Sequence, residues 1–189
     1  MKFVHLHTHS HYSLLDGMSK VDDMVKLAKE HGMTAIGLTD HGVMYGAIDF
    51  YTACKKNDIK PIIGVEAYVA NRTRFQKEPG IDNKRYHLTL LAKDNTGYQN
   101  LIKLTTAAHL EGYYYKPRVD KDILRTHAEG LLCLSGCPGS ELGRAIQSGN
   151  KEKAEKIILE YQVIFGPENY YLEIMHHPDV EFFQDWKNT

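Results

Sequence analysis

The sequence is poor in cysteine, and its cysteines are not placed to build a disulfide framework. Cys54, Cys133 and Cys137 are the three in 189 residues, and no two of them form a Cys-x-x-Cys pair. Disulfide scaffolds of secreted proteins and dithiol redox motifs need more cysteines or a tighter spacing. We therefore expect a protein of a reducing compartment, the cytoplasm.

The sequence also lacks a long apolar run and an excess of charge of one sign. No apolar stretch reaches the roughly 20 residues of a membrane-spanning helix, and the first residues are too polar for a secretory signal. We therefore expect no membrane association. The formal net charge is −1, which gives no bulk attraction for nucleic acid, so any DNA contact must be local.

What is present is typical of a globular domain. Hydrophobic residues make up 42% and charged residues 25% of the chain, as in ordinary folded proteins. A chain of 189 residues is long enough to bury a core, and no internal repeat or low-complexity tract divides it. We expect a single domain over residues 1–189.

Four histidines alternate with other residues at the start of the chain, at positions 5, 7, 9 and 11. In an extended strand these side chains share one face. Packing several such strongly hydrated groups on one face is costly unless something binds them. The alternatives are an expression tag, which would have consecutive histidines, and a pH-sensing surface strand. The run favours half of a metal site.

Strand and helix patterns alternate along the rest of the chain. Apolar runs predict strands at 34–39, 60–65, 86–92, 130–135 and 170–175, with helices between most of them. Ser19 and Asp22 resemble a capping box for the first helix, and Asn150 is expected to cap an amphipathic helix that ends at Gly166. Segment 70–85 is polar and turn-rich, and we expect an exposed excursion there.

The alternation of strands and helices predicts an α/β fold with a parallel sheet buried on both faces. About six strand-helix units are too few for a closed barrel, so we expect an incomplete barrel from a fragment of a longer chain.

Each predicted strand carries a metal-capable side chain at or just beyond one end. The candidates are His7 and His9, His41, Glu66, His87, Cys137 and the group Glu173, His176 and His177, with Asp16 in the loop after the first strand. Active sites of parallel barrels lie at the carboxyl ends of the strands, and His87 departs from this rule because it begins its run. We expect His5 and His11 not to be ligands, and His31, His109 and His127 to be surface or helix-end residues.

The composition of this set indicates a particular chemistry. Mixed imidazole, carboxylate and thiolate ligands suit Zn²⁺, Mn²⁺ or Fe²⁺ better than Mg²⁺ or Ca²⁺. The candidates outnumber the ligands of one four-coordinate ion, so more than one ion is expected. Neighbouring divalent ions are typical of phosphoester hydrolysis.

The order of these motifs resembles the polymerase and histidinol phosphatase (PHP) family. The likeness rests on His-x-His with Asp16, Thr39-Asp40-His41, Gly64-Val65-Glu66, the His87 strand and Ser135-Gly136-Cys137. More narrowly, five segments look like the PHP domains at the start of bacterial replicative DNA polymerases. They are residues 3–7, 13–17, 60–64, 95–101 and 127–131.

The resemblance implies a distorted (βα)7 barrel, incomplete in this chain, with two or three divalent ions. It implies metal ligands at His7, His9, Asp16, His41, Glu66, His87 and Cys137, with catalytic roles for Asp16, His41 and Glu66. The late Asp-x-His motif of the family is absent, and Glu173, His176 and His177 match the family only loosely. The implied activity is 3′–5′ exonuclease proofreading. The implied partners are a DNA primer end or single strand, the remaining polymerase domains and other replisome subunits.

Three functions remain open from the sequence. The first is a nuclease, in which the basic and aromatic loops with Arg72, Arg74, Lys84, Arg85 and residues 113–118 contact single-stranded DNA. The second is a phosphoesterase for a small molecule, similar to histidinol phosphatase. The third is a non-catalytic scaffold that its metals stabilise.

Overall fold

The computed structural model describes residues 3–14 and 16–175. Its helices are α1 (Val21–Glu30), α2 (Ala47–Lys56), α3 (Asn95–Leu110), α4 (Lys121–Thr126), α5 (Glu141–Gln147) and α6 (Lys151–Phe165). Its strands are β1 (Ala35–Leu38), β2 (Lys60–Ala70), β3 (Arg85–Ala92), β4 (Arg118–Val119), β5 (Leu131–Leu134) and β6 (Tyr170–Tyr171). Within these described residues, no helix combines the length and the apolar character needed to cross a membrane.

The strands form one six-stranded sheet in the order β1-β2-β3-β5-β6, with β4 paired to β2. This confirms the predicted α/β fold. The expectation of an all-parallel sheet is wrong, because β3 runs antiparallel to both β2 and β5. The reason lies in the connection. Residues 71–84 join β2 to β3 without a helix, so the chain turns back on itself instead of crossing over the sheet.

Strand β2 is longer than predicted, and its two faces have different roles. The sequence pattern ended this strand at residue 65, whereas the strand continues to Ala70 and Glu66 lies inside it. Val65, Ala67 and Val69 point into the larger hydrophobic cluster, so Glu66 and Tyr68 point to the opposite face. The face of the sheet opposite to this hydrophobic cluster therefore carries the candidate site residue Glu66.

Two hydrophobic clusters hold the helices on the sheet. The larger packs the outer faces of β2, β3 and β5 against α3 to α6, and includes Leu90, Leu104 and Tyr161. The smaller packs β1 between α1 and α2 around the fully buried Phe50. Burial of these side chains is the main favourable term in folding.

Most helices begin at a residue whose side chain accepts a backbone N–H bond. Asn150 caps α6 by accepting from the Lys153 amide at 2.9 Å, which confirms that prediction. The capping box at Ser19 is wrong, because α1 begins after Lys20 and has no side-chain cap. Helix α5 was not predicted, since its seven residues are too few to show a periodic pattern.

The segment between β2 and β3 is anchored to the body of the protein. Arg118 is fully buried, and its guanidinium donates to the carbonyls of Arg74, Gln76, Asp82 and Gly112 at 2.8–3.1 Å. Arg72 pairs with the Asp82 carboxylate, and Arg74 with that of Asp120. Most of this segment is exposed, as expected, but it is tied to the protein by these contacts, and the three arginines are engaged within the protein.

The histidine-rich N-terminal segment lies beside β1. The Gly37 amide donates to the His5 carbonyl at 2.7 Å, and the Thr39 amide to the Thr8 carbonyl at 2.9 Å. At the far edge of the sheet, Glu173 follows β6, yet its Oε1 lies 2.6 Å from His7 Nδ1. The sheet therefore curls until its two edges meet, as a barrel wall does.

Candidate metal centre

A buried carboxylate lies at the middle of the inner face of the sheet. Glu66 is 1% exposed, and four histidines surround it. The nitrogen-to-oxygen distances are 3.4 Å from His7, 3.2 Å from His9, 2.8 Å from His41 and 3.1 Å from His87. Histidines from three separate parts of the chain therefore converge on one anion.

His41 reaches Glu66 because the chain after β1 stays alongside β2. The Glu66 amide donates to the Thr39 carbonyl at 3.2 Å, and the Gly42 amide donates to the Glu66 carbonyl at 2.9 Å. These bonds extend the parallel pairing past the end of β1. His41 and Glu66 are thereby fixed side by side.

The direction of β3 explains the position of His87. The register pairs Tyr68 with His87 and Glu66 with Thr89. Because β3 is antiparallel, its first residues lie at the end of the sheet where the parallel strands finish. His87 therefore reaches the same mouth as the other candidates, although it begins its strand.

Glu66 and its histidine neighbours perturb one another's protonation. Burial penalises the charged carboxylate, but hydrogen bonds from His41, His7, His87 and His9 hold the pKa of Glu66 well below its usual range. Burial also acts against a charged His7, yet its bonds to Glu173 and Glu66 raise the pKa of His7 to about 9. The site therefore requires compensating positive charge, which protons or divalent cations supply.

Asp16 and Cys137 lie at the periphery of this cluster. Asp16 Oδ2 lies 2.7 Å from His41 Nε2, and its side chain is 39% exposed. Cys137 Sγ lies 3.2 Å from His87 Nδ1. Burial opposes a charged His87, while its bonds to Cys137 and Glu66 raise the pKa of His87 to about 9.

The turn that carries Asp16 is fixed by a buried aspartate. Asp40 accepts hydrogen bonds from the backbone amide and the hydroxyl of Ser10, at 2.6 and 2.9 Å. Ser13 Oγ in turn accepts from the His41 amide at 3.0 Å. Asp40 is thus explained by this turn, and its carboxylate forms no salt bridge with a histidine among the described residues.

Sequence reasoning left the role of Glu173 open, and the structure places it against His7. Thr89 Oγ1 lies 3.3 Å from the same His7 nitrogen, and the Glu173 amide donates to Ser135 Oγ at 2.9 Å. Thr89 was missed, although it lies two residues after His87 and so shares its face of β3. His176 and His177 lie outside the described residues.

The remaining histidines lie apart from this cluster. His5 and His11 are exposed, and His31 and His127 occupy the C-cap positions of α1 and α4. His109 Nε2 lies 3.2 Å from the Gly42 carbonyl. The positions of His31, His109 and His127 agree with the surface and helix-end roles expected for them.

The donor atoms present fit divalent cations. Three overlapping triads have ligand atoms within 4.8 Å of one another: His7, His9 and Glu66; His9, Asp16 and His41; and His41, Glu66 and His87. His9 Nδ1 is also buried, with no hydrogen-bond partner among residues 3–14 and 16–175. Three triads that share members can accommodate more than one ion.

The chain is similar to known proteins of one family. A family model described as "PHP domain" matches residues 5–177. The alpha subunit of DNA polymerase III from Treponema pallidum (strain Nichols) is 49% identical over 178 residues, covering 94% of this chain and 15% of that protein. The alpha subunit from Thermus aquaticus is 48% identical over 181 residues, with the same two shares. The chain thus spans about 15% of the length of these relatives.

A solved structure supports the fold independently. A protein from Bifidobacterium adolescentis that has been assigned as a metal-dependent phosphoesterase matches with a TM-score of 0.59 at 11% identity. The match covers 98% of this chain and 81% of that one. At this identity the likeness concerns the fold alone.

Proposed function

The chain belongs to the PHP domain family, and we propose that residues 1–189 form the PHP domain of a bacterial DNA polymerase III alpha subunit, with a metal-dependent phosphoesterase site. The relatives at 48–49% identity support the first part. The finer proposal is that the site removes nucleotides from DNA 3′ ends. The remaining polymerase domains and replisome subunits would be its partners, in the cytoplasm.

The observation that carries the proposal is the arrangement around Glu66. A buried carboxylate in contact with four imidazoles is an expensive arrangement unless cations occupy it. We propose His7, His9, Asp16, His41, Glu66, His87 and Cys137 as ligands of two or three Zn²⁺, Mn²⁺ or Fe²⁺ ions. The chemistry that such ions supply in phosphoester hydrolysis is acidification of a bound water and neutralisation of charge on the phosphate.

The chain's own residues would divide the remaining work by their exposure. Glu66 is buried, so it acts by holding cations and aligning the rings of His41 and His87. The Asp16 side chain is 39% exposed and the His41 side chain beside it is 18% exposed, so Asp16 is the member of this pair that faces an incoming phosphate. Their contact of 2.7 Å allows Asp16 to orient His41 and to hold a proton on its Nε2.

The test is hydrolysis of a 3′-labelled mismatched primer with Mn²⁺ or Zn²⁺. We expect a His7→Ala/His9→Ala double variant to lose the activity, because both rings contact Glu66. The matched control is His5→Ala/His11→Ala, which removes two exposed histidines from the same segment and should keep the activity. Equal folding of all three proteins is checked by circular dichroism.

Two outcomes would overturn the catalytic proposal. Degradation that survives in the His7/His9 variant would come from another site or a contaminant. If no protein degrades the primer, while metal raises the melting temperature of the wild type and the His5/His11 control but not of the His7/His9 variant, the site would be a structural metal site.

A further inference from the structure

Two cations lie at the rim of the metal centre, on the inner face of the sheet. Arg85 precedes His87 by two residues on β3, so both side chains point to that face. Arg85 also pairs in register with Ala70, two residues beyond Tyr68 on β2. The Arg85 side chain therefore lies two residues further along β3 from Glu66 than the His87 side chain does.

Tyr68 connects these cations to the metal site. Its ring is buried and stacks on His41, with centroids 5.5 Å apart, and meets the edge of His87 at 5.4 Å. The Arg85 guanidinium lies 5.5 Å from the same ring, and the Lys116 ammonium 5.7 Å from it. Both cations are thus held within reach of the centre by cation–π contacts.

Neither cation is paired with a carboxylate of the described residues. In the part of the chain that the structure describes, Arg85 and Lys116 make no salt bridge, whereas Arg72 and Arg74 do. Arg85 donates from Nη1 to the Asn83 carbonyl at 3.0 Å, and its Nε is buried without a partner among the described residues. Two uncompensated positive charges beside a phosphoesterase site are an attraction for further phosphate.

The loop that carries Lys116 presents aromatic surface next to these charges. Tyr115 is 67% exposed, and it adopts a left-handed backbone conformation with φ of 61°. This conformation is unfavourable for a bulky side chain and is typical of functional loops. An exposed tyrosine beside cations is the usual platform on which single-stranded nucleic acids stack their bases.

We propose that Arg85 and Lys116 bind the phosphate next to the one that is hydrolysed, and that Tyr115 stacks on a base of the same single-stranded DNA. This inference rests on the proposed function and names its substrate class. A small phosphomonoester carries no second phosphate, so it would leave the Arg85–Lys116 pair unused. The geometry therefore favours a polymer over a small molecule.

The test is binding of a fluorescein-labelled oligothymidylate, measured by anisotropy over a series of salt concentrations with EDTA present to prevent cleavage. Each phosphate contact that is lost makes the slope of log affinity against log salt shallower by about 0.7 for single strands. We expect this change for Arg85→Gln and for Lys116→Ala separately. Lys103→Ala is the matched control, because Lys103 is exposed on the outer helix α3.

Tyr115→Ala distinguishes stacking from charge. Loss of a stacked base weakens binding by at least about fivefold, and we expect the salt slope to stay unchanged. Hydrolysis of the oligothymidylate and of bis(p-nitrophenyl) phosphate is then compared with Mn²⁺ present. Arg85→Gln and Lys116→Ala should lose a larger fraction of activity on the oligonucleotide than on the small diester.

The outcomes separate this inference from the proposed function. If wild-type protein hydrolyses both substrates but the two cation variants keep the wild-type salt slope, the phosphate contact is refuted and the phosphoesterase stands. If the slopes change while no protein hydrolyses either substrate, the DNA contact stands and the phosphoesterase is refuted. A change in Lys103→Ala as large as in the cation variants would also refute the contact.

Discussion

Glu173 should control how tightly His7 holds a metal ion. His7 Nδ1 lies 2.6 Å from Glu173 Oε1, and both side chains are largely buried, at 9% and 12% exposed. With that bond made, Nδ1 carries the proton and Nε2 is left to face Glu66 at 3.4 Å. A carboxylate behind a histidine ligand fixes the tautomer and ring orientation and raises the basicity of the coordinating nitrogen.

The expected magnitude follows from this arrangement. Loss of such a supporting group typically weakens metal affinity by about 10–100-fold, which corresponds to about 1.4–2.7 kcal/mol. Glu173→Gln keeps the shape and an acceptor oxygen but removes the charge, so we expect it near the lower end. Glu173→Ala also removes the acceptor, so we expect it near the upper end.

The assay is a competition between the protein and a chromophoric chelator for Zn²⁺, repeated with Mn²⁺ by calorimetry. Glu168→Gln is the matched control, since this carboxylate is exposed and lies five residues earlier. Unchanged Zn²⁺ affinity in both Glu173 variants, with folding intact, would refute the reasoning. His7 would then keep its orientation through packing and Thr89 alone.

Three further predictions concern the metal, the thiols and the fold. Zn²⁺ at about 100 times its dissociation constant should stabilise the protein by about 2.7 kcal/mol. The melting temperature should then rise by about 5–11 °C in the wild type and not in His7→Ala/His9→Ala, as differential scanning fluorimetry would show. Of the cysteines, Cys137 alone should react with a thiol reagent in the folded protein. The reason is that burial raises the pKa of Cys54 to about 11 and also raises the pKa of the fully buried Cys133. Zn²⁺ should slow the reaction of Cys137, and equal rates with and without metal would argue against Cys137 as a ligand. Gly97→Ala should destabilise the fold by about 1–3 kcal/mol or more, because a Cβ there would lie 1.9 Å from the Gly130 carbonyl oxygen; an unchanged urea midpoint would contradict this close approach.

The sequence predicted the helices and strands that a pattern among neighbouring residues identifies. Helix α6 shows a clear apolar period and a polar cap at Asn150, and both were found where expected. The direction of β3 was not predictable in this way, because a buried strand has the same kind of apolar run whether it is parallel or antiparallel to its neighbours. Only the missing helix in residues 71–84 hinted at a reversal, and we interpreted that segment as an exposed excursion.

The same distinction applies to the site. Alternation along an extended segment grouped the histidines at 5, 7, 9 and 11, of which His7 and His9 lie against Glu66 and the other two are exposed. The residue types indicated where to look for His41, Glu66 and His87. The contact between His7 and Glu173 joins residues 166 positions apart, and no local pattern encodes it. Arg118 shows the same limit of local patterns, in a residue whose predicted role differs from its observed one. It resembled a DNA-binding cation in a basic loop, yet its guanidinium is occupied by four backbone carbonyls inside the protein.

The buried Arg118 nonetheless matters for the site, through the direction of β3. If β3 ran parallel to β2, its first residues would lie at the opposite end of the sheet, and both His87 and Arg85 would be remote from Glu66. The reversal requires residues 71–84 to turn the chain so that β3 pairs antiparallel with β2. The Arg118 bonds to Arg74, Gln76 and Asp82 hold that segment in place. The proposed metal ligand His87 and the proposed phosphate contact Arg85 therefore depend on one feature. That feature is a helix-free connection, anchored by an arginine whose guanidinium is bound to backbone carbonyls of residues outside the candidate site.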